Sequence, residues 1–248
     1  MVMNWVAIIT LALAGSTQGL VSEDEAYEVM VRLQELLHSE TSIASYSMRV
    51  VTPDWQRTIH FDSWDDRPGK RAFIRILSPK KDKGTAYLKD GGSLWMYLPN
   101  LERNIRVPPS MMLSSWMGSS FTYDDLIMAG SVAEDYTHAV VAGDQELITI
   151  ESTPKPEAPI VWGKLVHVVT REGIPVSEEF YDENGKKQRE LKFEDVREMD
   201  GRQIPTRWVM RQFDDSGKWT VLQIESVQFD SEIAGSVFTH ANMKRGGR

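Results

Sequence analysis

Two hydrophobic periods divide the chain. Ala26, Val29, Met30, Leu33, Leu36 and Leu37 recur at helical spacing on one face, which predicts an amphipathic helix running to about His38 and packing on a sheet. Ser22-Glu23-Asp24-Glu25 stands just before it with capping-box spacing, and its carboxylates sit where a helix N-terminus favours negative charge. After Thr41 the period falls to two. Tyr46, Met48 and Val50 alternate with Ser45, Ser47 and Arg49; Trp55, Ile59 and Phe61 alternate with polar neighbours; Ala72, Ile74 and Ile76 follow the Arg67-Pro68-Gly69 turn. This alternation marks half-buried antiparallel strands.

The pattern continues to the end of the chain. A short strand turns at Asp90-Gly91-Gly92 into one through Trp95 and Tyr97, and a third ends at Val107 before Pro108-Pro109. Further strands are predicted over 135–142, 145–152, 163–170, 175–182, 187–197, 203–213 and 218–229. Asp182-Glu183-Asn184-Gly185 and Asp214-Asp215-Ser216-Gly217 read as hairpin turns. Pro154, Pro156 and Pro159 mark a longer loop, and a short helical segment is expected near Tyr123–Met128. No helix-length periodic segment interrupts the strands, which excludes βαβ folds.

Several strands are apolar on both faces. Leu94, Met96 and Leu98 point one way and Trp95 and Tyr97 the other; Ala72, Ile74 and Ile76 oppose Phe73 and Leu77. A sheet with one core needs one apolar face, so the second must be covered by a helix, a loop or a ligand. A strongly curved sheet closing around helices satisfies this and leaves a cavity.

The loop after Val107 is too apolar for an ordinary surface loop, carrying Met111, Met112, Leu113, Trp116, Met117 and Phe121. Methionine suits surfaces that adapt to varied apolar partners. Clustered with Trp95, Met96 and Tyr97, these residues read either as a shape-tolerant pocket wall or as core filler beneath a lid.

Charge and candidate chemistry narrow the function. A net charge of -8 disfavours nucleic acid, which requires a basic face, and tight attachment to anionic lipid. Residues 5–14, WVAIITLALA, form an apolar run suited to a signal-peptide core, with small residues at Ala14, Gly15 and Ser16. We therefore expect a leader over residues 1–19 and one exported domain over 20–248, the alternative being a buried N-terminal strand or helix. The chain has no cysteine, so disulfides and lipoprotein-type anchoring are excluded. The five histidines form no metal-ligand spacing, no nucleophile elbow or phosphate loop is present, and Asp124-Asp125 reads as helix N-terminal charge. No catalytic constellation, metal site or cofactor motif emerges.

The segment LWMYLPNLERNIRVPPSMMLSSWMGSSFTYDDL resembles the signature of the outer-membrane lipoprotein-sorting-protein-like family, related to the periplasmic lipoprotein carrier LolA. The matching elements are Trp95, Tyr97-Leu98-Pro99, Arg103 and Arg106, Pro108-Pro109-Ser110, Met117-Gly118-Ser119 and Phe121-Thr122-Tyr123-Asp124-Asp125-Leu126. The resemblance implies a mainly β fold, an unclosed antiparallel barrel of about eleven strands around helices and a lid. It also implies a soluble periplasmic carrier, not an enzyme, whose apolar groove takes acyl chains of lipid or lipoprotein. Membrane contact would be only transient, and an RND-type transporter is an implied partner. An adaptor docking on such a transporter through the apolar loop is the rival reading. On the carrier reading Trp95, Met96, Tyr97, Met111, Met112, Trp116, Met117 and Phe121 are the groove and lid candidates, and Arg103 or Arg106 the head-group or partner contacts. Glu102 and Asn104 dilute a strand usually richer in basic residues, and Ser120 replaces a common aspartate.

Overall fold

The computed structural model describes residues 23–37, 39–127, 132–158, 161–214 and 216–245. The leader expected over residues 1–19, the cap at Ser22, and His38, Met128 and Pro159 lie outside them. Helix α1 (Glu23–Leu37) precedes six strands: β1 (Thr41–Val51), β2 (Gln56–Asp66), β3 (Arg71–Ser78), β4 (Ala86–Asp90), β5 (Ser93–Leu98) and β6 (Arg103–Val107). Two short helices, α2 (Tyr123–Ile127) and α3 (Val132–Asp135), lead to seven more. These are β7 (Tyr136–Gly143), β8 (Leu147–Pro154), β9 (Lys164–Thr170), β10 (Pro175–Tyr181), β11 (Lys187–Met199), β12 (Arg202–Gln212) and β13 (Trp219–Phe229). Helix α4 (His240–Arg245) closes the chain.

All thirteen strands form one antiparallel sheet in the order β6-β5-β4-β3-β2-β1-β13-β12-β11-β10-β9-β8-β7. The sheet is not closed: β6 and β7 are its edges. It has two strands more than the family resemblance implies. Each strand falls where the period-two pattern places it, because turn residues separate the runs at the required spacing. At Gly91 the backbone takes φ +55, a left-handed conformation open to glycine, and so β4 turns directly into β5 with Asp90 opposite Ser93.

The topology assigns a particular task to residues 108–135. The chain starts in mid-sheet at β1, winds outward to one edge at β6, and re-enters at the opposite edge, β7. The intervening segment must therefore cross from edge to edge. It does so over the inner face, where Trp116, Phe121 and Tyr123 join Met48, Phe61, Ile76 and Leu222 in the main core. Helix α1 turns Ala26, Val29, Met30 and Leu33 onto Ile148, Ile150 and Val169 of β8 and β9, as its helical periodicity requires.

The second apolar face of β3–β5 is covered from outside. Phe73, Leu88 and Tyr97 pack against Phe238 and Met243, the latter on α4. The double-sided strands thus have two covers: the crossing segment within and the C-terminal turn and helix without.

Candidate functional site

The crossing segment is folded by its own hydrogen bonds. Ser115 and Thr122 form a bridge, and the Trp116 N–H donates to the Phe121 carbonyl at 2.8 Å. At the tip Met117 and Gly118 are both left-handed, at φ 53 and 76. This turn drives the Trp116 ring into the core, fully buried, where it meets Phe61 edge-on at 5.2 Å and Tyr87 at 5.6 Å. The strained Met117 backbone is held by Arg57, which donates to its carbonyl, and by the Tyr87 hydroxyl, which donates to its sulfur at 3.2 Å. Ser120 is buried; its N–H donates to Thr220 Oγ1 at 2.8 Å, and the Thr220 hydroxyl lies 3.2 Å from Ser120 Oγ.

Beyond this pinned tip a chamber of about 600 Å³ remains, within the size range of small-molecule sites. Its walls come from three places. Met30, Leu33 and Leu37 of α1 form one side, and Pro109, Met112, Leu113 and Phe121 of the crossing segment another. The sheet supplies Leu165, Phe180, Leu191, Phe193, Trp208 and Met210 from β9 to β12.

A polar group is set into this apolar wall on each of three adjacent strands. His167 on β9, Glu178 on β10 and Arg189 on β11 all line the chamber. Arg189 is 4% exposed and donates to both oxygens of Asp125, at 2.7 and 2.6 Å. Its guanidinium carbon lies 4.1 Å from the Phe180 ring centroid and 4.6 Å from that of Trp162, a cation–π setting at a desolvated site. Asp125 also accepts from the Thr122 N–H at 2.7 Å, while the Asp125 N–H donates to Thr122 Oγ1 at 3.1 Å. That is a reciprocal cap on α2, so one carboxylate both starts the helix and ties the crossing segment to β11.

Glu178 stands directly across the sheet from His167, with Nδ1 and Oε1 3.9 Å apart. Burial pushes the Glu178 carboxyl up to about 7; Arg189 pulls it down and Asp125 adds to the rise. Burial drives His167 down to about 3, with His138 adding to the shift. Near neutral pH the imidazole is uncharged, and its buried Nε2 has no hydrogen-bond partner among the described residues. Burial, and then the charge of neighbouring Asp125, also raise Asp124.

The candidates from the sequence divide among four locations. Met112 and Phe121 line the chamber. Trp116 lies wholly inside the main core, with Met96 and Met117 packed against it. Trp95 and Tyr97 belong to the outer face, Trp95 meeting His240 edge-on at 4.8 Å. Met111 is 43% exposed, and Arg103 and Arg106 are exposed on edge strand β6, where Arg106 donates to Ser93 Oγ at 3.0 Å. Charged side chains on an edge strand discourage pairing with another chain.

The wall from β9 to β12 was missed, although a signal for it was present. His167 shares its strand phase with Leu165 and Val169, Glu178 with Phe180, and Arg189 with Leu191 and Phe193. A polar residue in the apolar phase of an alternating strand points into the interior, and there it requires a partner or a role. Among the described residues no group of three or more His, Asp or Glu is placed to hold a metal ion. No described helix is long and apolar enough to cross a membrane.

Residues 69–245 match the model of a family described as "Uncharacterized protein". A search of curated proteins finds no match. Solved structures share the fold at low identity. A DUF1329 family protein from Desulfovibrio piger is 19% identical, with a TM-score of 0.79 over 89% of this chain and 98% of that one. A LolA superfamily protein from Nitrosomonas europaea is 20% identical, with a TM-score of 0.73 over 88% and 98%. A domain from Vibrio parahaemolyticus assigned to the outer membrane lipoprotein-sorting proteins is 21% identical, with a TM-score of 0.75 over 90% and 100%.

Proposed function

This chain belongs to the family whose model matches residues 69–245 and has the fold of LolA-superfamily and outer membrane lipoprotein-sorting domains; from that premise and its chamber we propose that it is a carrier of acyl chains of the lipoprotein-sorting-protein-like kind rather than an enzyme. The chamber carries the reading: about 600 Å³ of largely apolar space between a curved sheet, a helix and a crossing segment. Each methylene transferred from water into it contributes roughly 0.8 kcal/mol, so a partly inserted chain already binds. Met112, Phe121, Trp208 and Met210 line the chamber and are proposed to contact the chain.

The proposed setting is the periplasm, with residues 1–19 removed as a leader and 20–248 forming the working domain. Lipid or lipoprotein would be carried toward the outer membrane with only transient membrane contact, in exchange with an RND-type transporter. Docking on that transporter would use Met111 and Leu113, which are exposed, and not Trp116, which has no exposed surface.

The test is extraction of the purified full chain, followed by mass spectrometry and titration with a fluorescent apolar probe. Co-purifying lipid, or probe binding displaced by long-chain amphiphiles, supports the carrier. Empty protein that also fails to bind the probe overturns it.

A further inference from the structure

The chamber's charges are unusually one-sided for a lipid site. Its described lining contains four carboxylates, Asp124, Asp125, Asp135 and Glu178, against a single arginine and no lysine. Arg189 would be the natural receptor for a phosphate or carboxylate, through the paired N–H groups of its fork. Both of those nitrogens are already engaged by Asp125, Phe180 and Trp162 lie over the group, and the remaining donor, Nε, has no partner among the described residues but is buried and offers no open surface. An anionic head group would have to displace Asp125 or be buried beside unpaired carboxylates, and either is strongly unfavourable.

Glu178 offers the opposite chemistry. Its carboxyl lines the chamber, with Nδ1 of His167 3.9 Å from one of its oxygens. Beside it His167, 3% exposed and also lining the chamber, leaves Nε2 unpartnered. A partly exposed carboxylate and a buried imidazole whose Nε2 has no partner among the described residues thus stand side by side on neighbouring strands, and a carboxylate in an apolar wall is best satisfied by a hydrogen-bond donor.

Resting on the carrier reading, we infer that the chamber selects amphiphiles whose polar end donates hydrogen bonds and carries no negative charge, with Glu178 as its receptor. Hydroxyl and amine ends are accepted; free carboxylate and phosphate ends are rejected.

The charged and titratable groups facing Glu178 are His167 from β9, Arg189 from β11, Asp125 from the crossing segment and Tyr136 from β7. Of these Arg189 is paired and His167 is held neutral near physiological pH. Protonation of Glu178 therefore weakens selection against anions as the medium is acidified through about 7.

Displacement of N-phenyl-1-naphthylamine from the full chain by hexadecanol, hexadecylamine and palmitate provides the test. At about pH 8 the amine and the alcohol should compete at least about tenfold better than palmitate. That gap should narrow at about pH 5.5 and in Glu178→Gln at either pH, while Glu225→Gln, on the outer strand surface, retains it. Palmitate matching the alcohol at pH 8, or Glu178→Gln leaving the ranking unchanged, overturns the head-group inference alone. Failure of the probe and all three amphiphiles to bind removes the carrier reading and the inference with it.

Discussion

Arg189 shows how much one side chain constrains the chamber. A guanidinium buried among Phe180, Trp162 and Leu191 is tolerated only because Asp125 accepts from both arms of its fork. Removing the carboxylate leaves the arginine buried and unpaired. Asp125→Ala should therefore cost about 3 kcal/mol, part of it from the lost helix cap. Adding Arg189→Met should recover much of that loss, since an apolar side chain of similar length needs no counter-charge. Urea midpoints of the two single variants and the double variant would measure the coupling, and additive losses would contradict it.

Glu178 and His167 have opposite linkage signs. The Glu178 carboxyl titrates near 7 in the fold against 4.5 when exposed. Its contribution is thus fully present below 4.5 and is lost as pH rises through about 7. The side chain keeps 17% of its surface exposed, so the loss is smaller than the roughly 3 kcal/mol that complete burial would carry. His167, pushed from 6.5 to about 3, contributes above 6.5 and loses that contribution as pH falls toward 3. Melting temperatures across this range should show Glu178→Gln gaining on the parent as pH rises to about 7 and then running parallel. His167→Gln should gain on it as pH falls below about 6.5. Parallel curves throughout would mean that neither group is buried as described.

At the scale of elements, neighbouring positions of the crossing segment carry different loads. Trp116 is a core residue held by a left-handed turn, whereas Met112 is only partly buried and faces the chamber. Trp116→Ala should cost about 3–5 kcal/mol in denaturant unfolding, as for other buried aromatics. Met112→Ala should cost under about 2 kcal/mol yet weaken displacement of the apolar probe several-fold, because the wall and not the core is cut back. Equal losses of stability in the two would erase the distinction. The two readings of this loop, pocket wall and core filler, thus describe different residues of one segment.

That division also marks how far the sequence could be read. Strand positions and turns were legible because period-two alternation and turn residues are local signals. Alternation tells which residues share a face but not which face is inside. Trp95 and Met96 are adjacent in sequence, yet they lie on the outer and inner sides of β5. The outer cover was equally hidden, because Phe238 and Met243 reach β4 from more than a hundred residues away. His167, Glu178 and Arg189 were each visible as polar intrusions into an apolar phase. Only the pairing of β9 with β10 and β10 with β11 makes them one site.

For the whole molecule, the open sheet leaves the interior to be sealed by something other than strand pairing. A sheet with unpaired β6 and β7 cannot seal its interior by strand pairing; the crossing segment from β6 to β7 does so instead. Ser120 and Thr220 fasten that segment to β13, with hydroxyl oxygens 3.2 Å apart and both side chains buried. On the proposed carrier function, exchange of a bound chain requires either release of this fastening or passage where the exposed Leu113 and Val161 border the chamber. The absence of cysteine from the sequence permits a clean discrimination. The double variant Ser120→Cys, Thr220→Cys can form only one intramolecular disulfide, between groups close enough to bridge after a small adjustment. If the fastening must release, the oxidised variant should exchange probe at least about tenfold more slowly, and reductant should restore the parent rate. An unchanged rate on oxidation would place the entrance beside Leu113 or Val161 and leave the pinned tip as a purely structural anchor.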